Sequence, residues 1–179
     1  MKSVKDYMKM PYTRLVQEMN DESGHYFYGT VLELDGCQST GETLDELYDY
    51  VEKGRALPDK PIVLTFDDGY IDNYNNVLPI LKEYNMKATL FMISDAVNTD
   101  RFLSIDELHK MEAGGFDVQG HTNHHKVLTH VDLTQLPDEI GGGKTTLEAI
   151  LGEPVRYLAY PGGFNNGIVQ HVTKTSGYK

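Results

Sequence analysis

The chain has 179 residues, and its hydrophobic and charged fractions, 40% and 24%, are typical of a soluble globular protein of one or two domains. The net charge of −11 argues against nucleic acid or an anionic membrane as the main partner. Cys37 is the single cysteine, which excludes an intrachain disulfide. No apolar run is long enough to span a membrane. The first residues do not precede an apolar segment of signal-peptide type, and the compartment stays open.

The N-terminal part predicts a small α+β unit. Alternating apolar residues predict strands over residues 11–19 and 25–34, with a turn between them. Thr43 and Glu46 have the spacing of a capping box, which predicts a helix from Thr43 to about Lys53.

The next strand is predicted over residues 62–66, and it ends in the adjacent carboxylates of Asp67 and Asp68. Packing gives no reason for two like charges at a strand exit, because carboxylates repel each other and resist burial. A site that uses one carboxylate for a metal and the other for a proton would explain the pair. A solvated turn is the alternative interpretation.

Strands and helices then alternate, which predicts a parallel sheet with helices outside it. Ser104 and Glu107 form a second capping box, and Gly141–Gly143 lacks the first glycine of a phosphate-binding loop. We therefore interpret the three glycines as residues that weaken a helix. The predicted strands are residues 88–93, 116–119 and 155–160, and the predicted helices are residues 73–84, 104–113, 134–151 and 166–176.

Two histidines, His121 and His125, are spaced i and i+4. On a helical turn this spacing would place both imidazoles on one face, close enough to share one ion. His124 would then point elsewhere and be solvated, whereas Thr122 would orient a ligand or cap the turn. A further predicted strand ends in Tyr160-Pro161-Gly162-Gly163.

These three segments together resemble a known family. Thr65–Gly69, His121–His125 and Ala159–Gly163 are similar to the first three motifs of the polysaccharide deacetylases, the NodB-homology domains of carbohydrate esterase family four. The resemblance extends over about residues 44–179. It implies an α/β fold, a distorted (β/α) barrel-like domain with a metal site at the carboxyl ends of its strands.

The resemblance also implies a set of metal ligands. Asp68, His121 and His125 match the family's ligand positions. Two imidazoles and one carboxylate suit zinc, and nickel or cobalt is also compatible. Three protein ligands leave positions open for water and substrate, as in a catalytic site.

The other implied site residues flank these ligands. Asp67 corresponds to the family's general base, and the backbone N–H of Tyr160 to the donor that stabilises the oxyanion. Tyr70, Pro161 and Gly162 lie beside the motifs and are the expected substrate-binding residues.

The sequence departs from the family pattern at two points. Ala159 stands where many members carry an arginine that orients the base, and Arg156 lies too early to replace it. The late Leu-x-His motif, which supplies the family's general acid, does not occur before Lys179. We therefore expect the barrel-like domain to be incomplete and its turnover to be low.

A second resemblance concerns the N-terminal segment. Residues 8–54 are similar to the HicB-type antitoxin module, a small α+β unit. A natural fusion and an artificial chimera would both explain it. The resulting domain prediction is a HicB-like module over residues 1–55 and a deacetylase-like domain over residues 56–179.

Two functions follow from these resemblances. The first is metal-dependent hydrolysis of N-acetyl groups on an amino-sugar polymer such as poly-N-acetylglucosamine, peptidoglycan or chitin. Family members usually act outside the cell or in its envelope. The alternative is a non-catalytic interaction protein whose residues 1–55 bind a small toxin-like protein partner.

Overall fold

The structure is a computed structural model that describes residues 14–21, 24–31 and 63–179. Strands β1 (Arg14–Asp21) and β2 (Gly24–Val31) pair antiparallel, with Arg14 opposite Val31. They confirm the two strands predicted at the N-terminus, each shifted by a few residues. Cys37 and the helix predicted from Thr43 lie outside the described residues.

The deacetylase-like part contains a three-stranded parallel sheet. Its strands are β3 (Thr65–Asp68), β4 (Ala88–Met92) and β5 (Phe116–Gly120), and they lie side by side in that order. Asp68 of β3 pairs with Met92 of β4, which pairs with Gly120 of β5. The carboxyl ends of all three strands therefore meet at one edge, as the alternation of strands and helices predicted.

Helices connect these strands and follow them. A π-helical turn, Asn73–Val77, leads into α1 (Leu78–Glu83), and a second π turn, Asp138–Gly142, leads into α3 (Gly143–Leu151). Between them lies α2 (Ile105–Ala113), and α4 (Gly167–Thr175) follows. Short 3₁₀ turns are Ser94–Ala96, Leu128–His130 and Pro161–Gly163. Within the described part of the chain, every helix is too short or too polar to cross a bilayer.

The hydrophobic core lies between the sheet and these helices. β4 is buried at all five positions, as expected for a central parallel strand covered on both faces. Leu90 and Met92 of β4 share one core cluster with Val118 of β5, Leu108 of α2 and Leu147 of α3. Burial of this apolar surface fixes the sheet edge that carries the site.

The strand predicted over residues 155–160 is not formed, so this prediction is wrong. The segment makes a single bridge, Leu158 to Gly120, with N–H···O bonds of 3.0 Å from Gly120 to Tyr157 and from Ala159 to Gly120. The side chain of Gln119 explains the loss of the strand. Its Oε1 accepts the N–H groups of Arg156 and Tyr157, at 2.7 and 2.9 Å, and of these two a longer strand would give the Tyr157 N–H to β5.

Candidate metal centre

The two adjacent aspartates end strand β3, and the backbone turns sharply there. Asp68 has a φ of 72°, and Gly69 follows with a φ of 88°. A Cβ atom on Gly69 would overlap the side chain of Met92 on β4, and the positive φ also disfavours any residue other than glycine at this turn. The close approach of the chain to β4 thereby fixes Asp68 at the sheet edge, partly buried, while Asp67 is exposed.

The two histidines follow strand β5 in a loop, which we call the histidine loop (His121–Lys126). It is not the helical turn that the sequence predicted, because Thr122 and His125 both have a positive φ, 66° and 56°. The hydroxyl of Thr122 accepts the N–H of His125 at 3.0 Å, so Thr122 caps the turn as predicted. The irregular loop still brings the two imidazole rings to a centroid distance of 4.8 Å.

Asp68, His121 and His125 converge on one point, as the sequence predicted. Asp68 Oδ1 lies 3.4 Å from His121 Nε2 and 3.3 Å from His125 Nε2. One ligand atom from each of the three residues lies within 4.8 Å of the others. In a tetrahedral zinc site with bonds of about 2.0–2.1 Å, ligand atoms lie roughly 3.3–3.4 Å apart. The donor types and their spacing therefore fit a divalent ion.

The orientation and charge of His121 also suit a ligand. Its Nδ1 lies 2.9 Å from the carbonyl oxygen of Ala159, so Nδ1–H donates this bond and Nε2 keeps its lone pair towards Asp68. Burial lowers the pKa of His121, and the Ala159 bond and the carboxylates of Asp67 and Asp68 only partly oppose this shift. A lowered pKa favours the neutral imidazole, which is the form that binds metals.

The third motif reaches the same edge through the bridge to Gly120. Tyr160 leads into the turn Pro161–Gly163, in which Pro161 is buried and Gly162 is exposed with a φ of 63°. The carbonyl of Tyr160 accepts the N–H of Gly163 at 2.7 Å. The N–H of Tyr160 makes no hydrogen bond to any residue that the structure describes. This donor is therefore available to a ligand.

Tyr70 lies two residues after Asp68 with 41% of its surface exposed. Its ring stacks on that of Phe102 at a centroid distance of 4.7 Å, and the two residues form an antiparallel bridge. The sequence analysis did not single out Phe102, because a contact across 32 residues leaves no periodic pattern. The pair presents an exposed aromatic surface next to the strand that carries the aspartates.

His124 points away from the metal-type cluster and is exposed, as the sequence predicted, but it is also bound by Glu139. Its Nδ1 lies 2.8 Å from Glu139 Oε2, and its backbone N–H donates to Glu139 Oε1 at 2.9 Å. Of the remaining histidines in the described ranges, His109 pairs with Glu112 at 3.4 Å, and neither His130 nor His171 belongs to the metal-type cluster. Glu139 thus joins Phe102 as a residue of the site region that no sequence pattern indicated.

The chain is similar in sequence and in fold to known proteins. The family model of the polysaccharide deacetylases matches residues 54–179. The Streptococcus pyogenes deacetylase PplD, solved in complex with acetate, superimposes with a TM-score of 0.74 and 28% identity. This match covers 76% of the chain and 62% of PplD. It confirms the predicted α/β fold of distorted (β/α) barrel-like type.

Two curated relatives agree with this match. A peptidoglycan-N-acetylglucosamine deacetylase of Bacillus cereus is 32% identical over 122 residues, 68% of this chain and 55% of the relative. A poly-β-1,6-N-acetyl-D-glucosamine N-deacetylase of Staphylococcus epidermidis is 29% identical over 138 residues, 69% of this chain and 47% of the relative. The chain therefore spans about half the length of these relatives.

The N-terminal segment and the alternative function gain no support from these matches. The family model begins at residue 54, so it does not include the segment that resembles a HicB-type module. Most of that segment also lies outside the described residues. The matched relatives are deacetylases, which favours the enzymatic interpretation over a non-catalytic interaction protein. From residue 54 onward, the chain belongs to the polysaccharide deacetylase family.

Proposed function

We propose that this chain binds one divalent metal ion at Asp68, His121 and His125 and hydrolyses N-acetyl groups of an amino-sugar polymer. The observation that carries the proposal is the spacing of 3.3 and 3.4 Å between Asp68 Oδ1 and the two histidine Nε2 atoms. This spacing is too long for a good hydrogen bond and suits ligands around one ion. Zinc is the proposed metal, with nickel and cobalt as alternatives.

The three ligands differ in exposure, and this difference suits a catalytic site. The side chain of His121 is buried, whereas that of His125 is 43% exposed. The site therefore opens towards solvent on the His125 side, where water and a substrate can approach. A bound divalent ion would lower the pKa of a water molecule and polarise an acyl oxygen.

Asp67 and Tyr160 supply the remaining chemistry in this proposal. The exposed carboxylate of Asp67 accepts a proton from the attacking water. The N–H of Tyr160 donates to the acyl oxygen as negative charge develops on it. The water oxygen bonds to the acetyl carbon, the C–N bond breaks, acetate leaves and the sugar amine takes up a proton.

The substrate is proposed to be a β-linked polymer of N-acetylated amino sugars. The two relatives act, by name, on peptidoglycan and on poly-β-1,6-N-acetylglucosamine, and chitin is the third candidate. Tyr70, with its exposed ring on Phe102, offers a sugar ring an apolar face. Pro161 and Gly162, in the third motif, are also proposed to contact the substrate.

We also propose the domain boundary near residue 55, one residue after the start of the family match. Residues 56–179 would then form the deacetylase domain. A protein partner for residues 1–55 and an extracellular or envelope location stay predictions from the sequence.

The test combines metal analysis with an acetate assay on the full 179-residue chain. The metal-free protein is given one equivalent of zinc, and acetate is measured with each of the three polymers at high enzyme concentration, because the expected turnover is low. We expect one bound zinc per chain, acetate from at least one polymer, and about 10²–10⁴-fold less acetate with Asp67→Asn. One bound zinc without acetate from any polymer would contradict the hydrolytic function, and absence of zinc binding would contradict the site.

A further inference from the structure

The histidine loop has an unfavourable backbone conformation. Thr122 and His125 occupy the left-handed region, with φ values of 66° and 56°. This region is costly for residues with side chains, and most costly for a β-branched residue such as Thr122. Such a conformation persists only where surrounding contacts impose it. The position of His125, a proposed ligand, therefore depends on what holds the loop.

One side of the loop is held by the turn after strand β4. The N–H groups of Ser94 and Asp95 donate to the carbonyls of Thr122 and Asn123, each at 3.1 Å. The hydroxyl of Ser94 also donates to Oδ1 of Asn123 at 2.7 Å. These contacts fix the first half of the loop but do not reach His124 or His125.

Glu139 holds the other side. Its side chain is only 2% exposed, yet both carboxylate oxygens have partners in the loop. Oε1 accepts the N–H of His124 at 2.9 Å, and Oε2 lies 2.8 Å from His124 Nδ1 and 3.4 Å from Lys126 Nζ. The carbonyl of Glu139 accepts the N–H of Asn123 at 2.9 Å. Glu139 thus binds Asn123, His124 and Lys126, none of which is a proposed ligand, through both its backbone and its side chain.

The charge of Glu139 is compensated by the same contacts. Burial raises the pKa of its carboxyl group, but the hydrogen bonds from His124 and the charges of His124 and Lys126 outweigh this effect, so the pKa is lowered. The carboxylate is therefore ionised at neutral pH and makes strong, charge-assisted hydrogen bonds. Burying a carboxylate costs free energy, and the hydrogen bonds from its partners offset this cost only if those partners are themselves fixed in position.

Gly143 lies one turn after Glu139 and lets the helix approach the loop closely. A Cβ atom at this position would lie 2.9 Å from N of Asn123 and 3.0 Å from C of Thr122. Both are backbone atoms, which cannot move aside as the end of a side chain can. The residue spacing i, i+4 places Glu139 and Gly143 on the same face of the helix. This contact accounts for the third of the three glycines that the sequence analysis read as weakening a helix.

We propose that Glu139 is a positioning residue for the metal centre and that Gly143 provides the close packing that its contacts require. Together they impose the strained conformation of the histidine loop that brings His125 to Asp68 and His121. This inference rests on the proposed metal site. It assigns Glu139 no contact with metal or substrate and no role in proton transfer.

Glu148 provides a matched control. It lies on α3, which directly follows the π turn that carries Glu139, and it also ties a loop to the helix, because Oε1 accepts the N–H of Val155 at 3.0 Å and binds Lys144 Nζ at 2.8 Å. The Lys144 bond lowers the pKa of Glu148, as the His124 contacts do for Glu139. The loop that Glu148 holds contains no proposed ligand. Replacing either glutamate should therefore have a similar effect on folding stability.

The experiment measures the Kd for zinc by competition with a chelator, using the metal-free full-length chain and its variants. We expect Glu139→Ala to weaken zinc binding by about 10- to 100-fold, the range seen when supporting residues of metal sites are removed. Glu139→Gln, which can still accept the His124 N–H, should lose less. Glu148→Ala should keep the wild-type Kd for zinc even if its unfolding temperature falls as much as that of Glu139→Ala.

A second measurement follows the loop without metal. Amide hydrogen exchange of Asn123 and His124 in the metal-free chain should become faster in Glu139→Ala and stay unchanged in Glu148→Ala. If Glu139→Ala does not fold, Glu139→Gln and Gly143→Ala decide the question, and both should weaken zinc binding.

The outcomes separate this inference from the proposed function. A wild-type Kd in Glu139→Ala, or an equal loss in Glu148→Ala, would overturn the positioning role. Should Glu139→Ala fail to fold, wild-type Kd values in both Glu139→Gln and Gly143→Ala would overturn it as well. If instead His125→Ala keeps the wild-type Kd, the proposed metal site itself is wrong. Loss in His125→Ala together with no change in Glu139→Ala would leave the site intact and reject only the role of Glu139.

Discussion

Helix α2 is stabilised by contacts between residues that are close in sequence, whereas the histidine loop is stabilised by contacts between residues that are far apart in sequence. In α2, Ser104 and Glu107 cap the start of the helix reciprocally, and Gly114 follows its end, all within eleven residues. The histidine loop instead depends on Ser94, Glu139 and Ala159, which lie 15 to 38 residues from their partners. Local rules can therefore specify α2, whereas the loop exists only when the whole domain has folded around it.

This comparison predicts where substitutions will affect function and where they will affect only stability. Changes at the sheet edge should alter metal binding or hydrolysis, because the edge gathers groups from several elements. Changes in α2 should alter the free energy of unfolding alone.

The largest effect is expected from removing a ligand. Asp68→Asn and His125→Ala each take away one of three donors that lie within 4.8 Å of one another, so stoichiometric zinc binding and all metal-dependent acetate release should be lost. Metal content after dialysis against zinc measures the outcome. His109→Ala, a change at a histidine that pairs with Glu112 on α2, is the control and should retain one zinc. Full occupancy in His125→Ala would remove this residue from the ligand set.

The second effect should separate the two adjacent aspartates. Asp67→Asn is expected to keep the zinc and to lower acetate release by about 10²–10⁴-fold, the usual contribution of a general base. Asp68→Asn should lose the zinc itself. Parallel measurements of zinc content and acetate release distinguish the two. Equal loss of zinc in both variants would leave the role of Asp67 as a base without support.

The third effect concerns the turn that fixes Asp68. Gly69→Ala introduces a Cβ atom that overlaps the side chain of Met92 and places a side chain at a φ of 88°. We expect a loss of about 1–3 kcal/mol in the free energy of unfolding, the usual cost of overpacking. Zinc affinity should fall as well, because Asp68 precedes this turn. Chemical denaturation and chelator competition measure the two, and unchanged values in both would show that the turn tolerates a side chain.

The sequence predicted the features that depend on residues close in sequence, but not those that depend on contacts between distant residues. The capping box of α2 and the alternation of strands and helices were predicted, since each depends on residue type and short spacing. The grouping of Asp68 with His121 and His125 was expected from the family resemblance. The conformation of the histidine loop was not predicted, because Thr122 has a positive φ and threonine normally avoids that region. The partner of His124 lies 15 residues away, on a helix.

The strand predicted over residues 155–160 was wrong for a related reason. Its apolar residues have the pattern of a strand, but Gln119 Oε1 binds two of its N–H groups and Pro161 has none. A side chain from a neighbouring strand thus replaced the backbone pairing that the pattern implied. Such competition depends on which elements become neighbours, and a single sequence contains no direct information on this.

The smallest effect is expected in α2. Ser104 Oγ accepts the N–H of Glu107 at 3.3 Å and donates to its carboxylate at 2.7 Å, so Ser104→Ala should cost about 1 kcal/mol of unfolding free energy. Backbone and side-chain hydrogen bonds from Ser104 lower the pKa of Glu107. A lowered pKa stabilises the fold at pH values above the ordinary Glu pKa of about 4.3, and this contribution is lost as the pH falls through the lower folded-state pKa.

The difference between wild type and Ser104→Ala should therefore be largest near neutral pH and shrink in acid, when Glu107 is protonated and its charge-assisted bond to Ser104 Oγ weakens. Denaturant unfolding of both proteins across this pH range measures the change. Zinc affinity should be the same in both, because α2 carries no proposed ligand and makes its capping contacts locally. A lower zinc affinity in Ser104→Ala would show that the metal centre depends on α2, and the division between local and long-range support would then fail.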